Sequence, residues 1–362
     1  MKFGLIAVPY ALDYADGKET AKDVIDWDVQ VAQWADTYGI DEMFFAEHYT
    51  LGHEPSPAPD LMIAAASQKT TRITLGALGH LLPYHNPAAL AFRMMWLDHM
   101  TGGRYKAGIA PGAFPSDAQL FGTGSDNPAM LAEGIDILQS IFTKPGPWDI
   151  DGKFWTVSMP GYADALHGPH LKPLQSPHPE ILMTGMQAGS PTLREAGQRG
   201  FSPVSQEVST DALLTHWETY ATAATDAGHQ PARSQWRVCR DYWVAETDEE
   251  ARDQVLNGPM GRTWNEHNIP LFKQLGLAPL VGGSKLGDGE LTLEWMVDNF
   301  FLVGSAETVV EKVRALYEEL GGFGTLISAT HGRGTDPDVY RRNLELVGTH
   351  VIPKLADLTP ID

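Results

Sequence analysis

Strand-like and helix-like patterns alternate from one end of this chain to the other, and that rhythm constrains the fold more than any single motif does. Short apolar runs at Phe3–Val8, Met43–Ala46, Ile73–Leu82, Tyr105–Ala110, Ile181–Thr184, Ser202–Ser205, Trp236–Ala245 and Gly324–Ala329 read as buried strands. Between them lie amphipathic segments. The first places Val24, Trp27, Val31, Trp34 and Tyr38 on one face and stops at Gly39; others run over Asp60–Gln68, Pro87–Met100, Pro191–Arg199, Asp211–Ala227, from Asp248, Ser305–Leu320 and Asp336–Leu355. Eight such units in 362 residues predict a closed (β/α)8 TIM barrel with insertions in its βα loops rather than an open doubly wound sheet. No Gly-x-Gly-x-x-Gly fingerprint follows the first strand, where a dinucleotide-binding fold would carry it.

Two stretches break the rhythm of what otherwise reads as one domain over 1–362. Lys144–Pro179, rich in Pro, Gly and His, predicts a long βα excursion with a minor strand at Lys153–Val157. Residues 257–299 interrupt the seventh unit with Trp264, His267, Gly282, Gly283, Gly287 and Trp295, and predict a lid or pocket wall with mobile glycines.

Charge and cysteine content exclude several function classes. With 46 acidic and 26 basic residues the formal charge is −20, which repels phosphodiester backbones and anionic membrane surfaces. Cys239 is the sole cysteine, so no intrachain disulfide forms, and its apolar surroundings predict a buried strand thiol. The apolar run after Lys2 is too short for a signal sequence, and no segment approaches the roughly 20 apolar residues of a membrane span. A reducing, cytoplasmic setting is the expectation.

In a parallel barrel, chemistry gathers at the C-terminal ends of the strands. Glu47-His48-Tyr49 follows the second strand; a charge and an imidazole there need partners or solvent, and His48 is open to either a structural or a catalytic role. His80, His85 and Asn86 surround Pro83 at the end of the third strand. Their spacings, with Glu47 added, match no recognised ligand set, so no metal is expected, and His85 and Asn86 either cap the next helix or contact a ligand. Ala110-Pro111-Gly112 with Ser116-Asp117 follows the fourth strand. After the fifth comes Thr184-Gly185-Met186-Gln187-Ala188-Gly189-Ser190-Pro191-Thr192, a helix start with free N–H groups that serves equally as a plain cap or an anion site. His331, after the last strand, could touch substrate or cap the final helix. Trp264 and Trp295 would add an apolar wall.

The opening Lys2-Phe3-Gly4-Leu5, Ala46-Glu47-His48-Tyr49, the stretch from Arg72 to Gly112 and Phe323-Gly324-Thr325-Leu326-Ile327 together resemble the bacterial luciferase-like flavin monooxygenases. The resemblance is strongest to the branch containing the diketocamphane and limonene monooxygenases. It implies a catalytic His48 beside a flavin ring, with Asp117 as a nearby acid, and a non-proline cis peptide near Leu78-Gly79 on the flavin face. It further implies cofactor contacts from Glu47, Leu78, Gly79, His80 and Ala110, and a phosphate site at Gly185, Ala188, Gly189, Ser190 and Thr192. Substrate contacts would come from His85, Trp264, Trp295 and His331. The chain departs from luciferase at Ala110 and Pro111, where luciferases carry a cysteine and a phosphate-binding arginine, and at Ala188-Gly189, where they carry Glu-Ser.

The activity so implied is that of the oxygenase of a two-component system, using reduced FMN (FMNH2) and O2, with NAD(P)H consumed only by a separate reductase. One oxygen atom would enter a small hydrophobic ketone, terpenoid or aldehyde, and the protein would be a homodimer. Two other readings stay open: a deazaflavin-dependent oxidoreductase transferring hydride, which would want more Lys or Arg than Arg194 and Arg199 near the phosphate site, and a non-catalytic flavin-binding protein.

Overall fold

The computed structural model describes residues 1–159 and 171–360. Eight strands close the barrel: β1 (Lys2–Ala7), β2 (Glu42–Phe45), β3 (Thr74–Leu81), β4 (Tyr105–Ala110), β5 (Ile181–Gly185), β6 (Ser202–Ser205), β7 (Arg237–Cys239) and β8 (Thr325–Ala329). Their order is β1-β8-β7-β6-β5-β4-β3-β2, and each ladder is parallel, as where Phe3 faces Leu326 and Leu5 faces Met43. The expected barrel is therefore present.

Strand periodicity sorts the side chains into two layers. Ile6, Phe44, Leu78, Leu182, Val204, Cys239 and Ile327 fill the barrel interior, which puts the Cys239 thiol in its centre. Their neighbours Leu5, Met43, Phe45, Ala77, Ile109, Met183, Val238 and Leu326 pack outward against the helices. Helix Ala21–Tyr38 begins with a capping box between Thr20 and Asp23 and ends at left-handed Gly39, as its sequence predicts. Helix Pro87–Met100 lies beside helix Pro59–Ser67, and there Trp96 and Leu61 stand exposed, at 60% and 68%. Among the described residues, no helix is long and apolar enough to cross a membrane.

Two expectations need correction. The run Trp236–Ala245 is not one strand. Arg240 and Asp241 break it, and Tyr242–Ala245 leaves the barrel to pair with Leu302–Ser305 in a separate parallel ribbon. The excursion after the fourth strand holds a hairpin, Trp148–Asp151 with Thr156–Met159, in place of one minor strand at Lys153–Val157; residues 160–170 lie outside the described residues. Helices Pro115–Phe121 and Asn127–Thr143 went unmarked in the sequence. The insertion 257–299 is mostly helical, comprising Pro259–Thr263, a π-helical turn Trp264–Asn268, Ile269–Gln274, Ala278–Leu286 and Leu293–Asn299.

The floor of the barrel is ionic. Arg237 donates to Glu42 through Nε (2.8 Å) and Nη2 (3.0 Å) and to Glu180 through Nη1 (2.9 Å). Lys106 bridges the same two carboxylates, and the Ser202 hydroxyl donates to Glu180 at 2.6 Å. Two cations thus balance two anions. Burial alone would raise the Glu42 pKa, but Arg237 and then Lys106 reverse this and hold it at about 2. Glu180 behaves alike, though its side chain is 31% exposed and its pairing correspondingly screened.

A carboxylate depressed on folding adds stability above its unfolded value and loses it as pH falls through its folded value. The urea midpoint is therefore expected to drop between about pH 4.5 and pH 2. Arg237→Met should leave Glu42 buried without its main partner and cost about 3–5 kcal/mol at pH 7. A midpoint unchanged in that variant would remove the floor from the list of stabilising interactions.

Candidate active site

Strand β3 carries the first irregularity at the mouth. Its pairing with β4 shifts register between Ala77 and His80, and the Leu78-Gly79 peptide bond is cis, where the resemblance placed it. The bulged turn presses on β4: a Cβ on Gly108 would stand 2.0 Å from the Ala77 carbonyl oxygen, and one on Gly79 would stand 2.9 Å from the Ile109 nitrogen. Both obstacles are backbone, so neither can step aside. Gly108→Ala should lower stability by roughly 1–3 kcal/mol or more, read as a fall in thermal midpoint. A variant with wild-type melting would mean that the strands part without cost.

Glu47, His80 and His85 come together, but on the helix-facing side of the wall. Glu47 accepts from Tyr49 Oη (2.6 Å), the Leu81 N–H (3.1 Å) and His85 Nε2 (2.8 Å). His80 places Nδ1 3.8 Å from Glu47 and binds the Tyr105 hydroxyl through Nε2 at 3.0 Å. Burial would raise the Glu47 pKa, yet His80 and His85 bring it well below the usual range. The three ligand atoms lie within 4.8 Å of one another, a grouping the sequence spacing did not suggest. Arg93 decides how to read it. Its Nη2 donates to His85 Nδ1 at 3.1 Å, so His85 carries its proton on Nε2 and gives it to Glu47; a cation would have to displace that proton. The geometry is that of a hydrogen-bonded network tying the loop after β2 to the end of β3. Through Arg93 this network reaches helix Pro87–Met100, and the cofactor roles expected of Glu47 and His80, and the substrate role of His85, stay expectations beside it.

His48 and Asp117 are linked through Thr50 and Phe114. Asp117, 1% exposed, accepts from the Thr50 N–H (2.9 Å) and hydroxyl (2.5 Å), which anchors the segment just after His48. Phe114 meets the His48 ring edge-on at 5.4 Å. His48 Nε2 lies 3.3 Å from Glu54, whose other oxygen lies 3.3 Å from His53 Nε2. His53 in turn stacks on His267 of the insertion at 4.1 Å. Leu78 points inward, and Ala110 ends β4 close by.

At the end of β5, Gly185 has no room for a side chain: a Cβ would meet Leu193 at 2.5 Å and Ser190 Oγ at 2.6 Å, so its role is to let the helix start descend onto the strand. Helix Pro191–Arg199 is capped by Ser190, whose hydroxyl also meets that of Thr192 at 2.8 Å; Thr192 donates to the Thr184 carbonyl at 2.5 Å. Ala188 and Gly189 are exposed, and Gly189, at φ +60°, has open space where a Cβ would stand. Arg199 is engaged by Glu195 and Asp136.

A second cluster escaped the sequence reading. Asp241, fully buried where the seventh run breaks, accepts from the Ala329 N–H (2.8 Å), Ser328 Oγ (3.2 Å), Trp264 Nε1 (3.3 Å) and His331 Nε2 (2.5 Å). Glu207 accepts from the Asp241 N–H at 3.0 Å. Burial first, then the Asp241 charge, pushes the Glu207 pKa up. Tyr10, at φ +41°, stacks on His331 at 5.0 Å and 4°, and its hydroxyl bonds Asn268 of the insertion. Glu207 and Asp241 each stand two residues past a barrel strand, as Glu47 does, and that repeated offset was the available signal. Trp264 is sealed beneath this cluster and does not line the mouth. Trp295 borders a groove with Arg240 and Phe300 instead. Trp264 meets the mouth through its bond to Asp241 and Trp295 faces the groove, so the substrate roles expected of the two indoles stay expectations.

Four buried polar atoms around the mouth have no hydrogen-bond partner: His48 Nδ1, Asp117 Oδ2, Thr330 Oγ1 and His331 Nδ1. They lie on the segments that follow β2, β4 and β8, the end of the barrel at which parallel barrels bind their ligands. Against this geometry the comparisons are specific. A family model described as luciferase-like monooxygenase matches residues 1–323. The chain belongs to that family. It is 36% identical to the 3,6-diketocamphane 1,6-monooxygenase of Pseudomonas putida over 98% of both chains. It is 31% identical to a 2,5-diketocamphane 1,2-monooxygenase of the same organism, over 98% of this chain and 99% of the other. A solved structure of the oxygenating constituent of 3,6-diketocamphane monooxygenase from P. putida, described as a type II Baeyer–Villiger monooxygenase in complex with FMN, superimposes with a TM-score of 0.91 at 37% identity and 98% coverage of each chain. The chain is thus an enzyme of the monooxygenase class, with a luciferase-like barrel.

Proposed function

We propose that this protein is the oxygenase of a two-component Baeyer–Villiger-type system, taking reduced FMN from a separate NAD(P)H-dependent reductase and inserting one atom of O2 into a small, mainly hydrophobic cyclic ketone. The observation that carries the reading is the set of unpartnered polar atoms at the mouth, which suits a flat heterocycle rich in nitrogen and oxygen and a carbonyl substrate. When bound, reduced FMN supplies the electrons that activate O2.

The protein's own residues then have separable tasks. The N–H groups of Ala188, Gly189 and Thr192 and the positive end of helix Pro191–Arg199 would hold the phosphate, with Gly189 leaving space for its approach. Leu78, Gly79 and Ala110 would form the surface against which the ring lies. His48 Nδ1 would hydrogen-bond or move a proton at the reacting oxygen, while Asp117 fixes the loop behind it. The remaining exposed cation by the helix start is Arg194, since Arg199 is occupied; one such charge fits a single phosphate better than the longer anionic tail of a deazaflavin. The exposed Trp96 and Leu61 on adjacent helices would meet a second copy to form the homodimer.

The test mixes the protein with FMN, NADH and a flavin reductase in air and follows lactone formation from a panel of cyclic ketones. Product carrying one atom of 18O from 18O2 is expected, and His48→Ala should lower kcat by about 10²-fold or more. NADH consumption that yields only hydrogen peroxide with every ketone would reject the oxygenase reading.

A further inference from the structure

The Asp241–His331 pair has the construction of an acid–base dyad, and the roles proposed above leave it unused. Both side chains are buried, at 0% and 2% exposure, yet the pair sits at the chemical end of the barrel. Asp241 keeps its charge. Burial would raise its pKa, but His331, the Ala329 N–H and Glu207 together lower it. An ionised carboxylate only accepts, so the 2.5 Å contact means that His331 carries a proton on Nε2. Tyr10 covers one face of the ring, which restricts its tilt. Strand alternation continues the ring's placement: Ala329 packs against the inward cluster, and His331 follows two residues later on the same side. What the ring leaves over is Nδ1, buried and without a partner.

We infer that Asp241 is a positioning residue for His331, and that His331 donates Nδ1–H to the carbonyl oxygen of the substrate, polarising the carbon that is attacked. This rests on the ketone oxygenase reading above. A carbonyl oxygen only accepts, so the donation requires a proton on Nδ1 beside the one that Nε2 gives to Asp241. His48 and His331 then divide the work from the two strands that flank β1: one serves the oxygen being delivered, the other the oxygen of the substrate. No bond is made or broken at His331, and it needs no further reactant.

Two measurements test the pair. In protein labelled with 15N-histidine, the ring nitrogens of His331, assigned by their loss in His331→Gln, should both be protonated at neutral pH before any ketone is added. A ring protonated on a single nitrogen would overturn the donation. In the reductase-coupled assay with camphor and cyclohexanone, His331→Gln should lower kcat by about 10²-fold with KM within about threefold, and Asp241→Asn should follow it while disturbing the Nε2 signal. A His331→Gln enzyme with kcat within threefold of wild type would likewise overturn it. If the wild type oxidises no ketone, the oxygenase reading fails and with it the donation to a carbonyl, while the 15N spectrum still decides whether Asp241 positions the ring.

Discussion

Eight parallel strands closed into a ring enclose a space that side chains must fill, and here the lowest layer is filled by charge. Glu42, Lys106, Glu180 and Arg237 come from β2, β4, the approach to β5, and β7, so one network fixes the relative heights of strands from both halves of the ring. Arg237 forks onto both oxygens of Glu42 and reaches Glu180 as well, which leaves little freedom for a strand to slip. A network of this kind gains little over a packed apolar layer in stability, but removing one member strands the rest in a dry interior. Its value is the definition of register.

Above that floor the inward layer is wholly apolar, from Ile6 around to Ile327, and it separates the structural charges from the chemical ones. The separation matters electrostatically. Groups at the mouth respond to their own neighbours, such as Glu54 beside His48 and Asp241 beside His331, with the floor charges balanced among themselves below. The barrel is thus rigid at one end and chemically adjustable at the other.

The strand rhythm was legible because buried parallel strands are short continuous apolar runs, and seven of the eight stand close to where the sequence puts them. The seventh was overrun because Trp236 to Val244 stays apolar and aromatic on both sides of Arg240-Asp241, and nothing local marks the point at which the chain leaves the ring. The cis Leu78-Gly79 bond came from the resemblance and not from composition. Of the site, His48 and Asp117 were legible as polar residues at strand ends. The direction of Glu47 and His80 was not, since a strand end can point either way until its register is known. Asp241 was missed for another reason: it finds His331 across 90 residues, and no window along the sequence joins them.

The insertion is tied to the loops that follow β1 and β2 as well as to the segments after β6 and β7. Arg262 reaches Asp13 and Asp16, His267 stacks on His53, and Asn268 holds Tyr10. The functional module is therefore discontinuous in the chain. A lineage that exchanged residues 257–299 alone would face an unmatched rim, with Asp13 and Asp16 left without their cation, whereas one that exchanged them together with both loops would inherit a complete mouth. Changes at these contacts, far apart in sequence, should travel together.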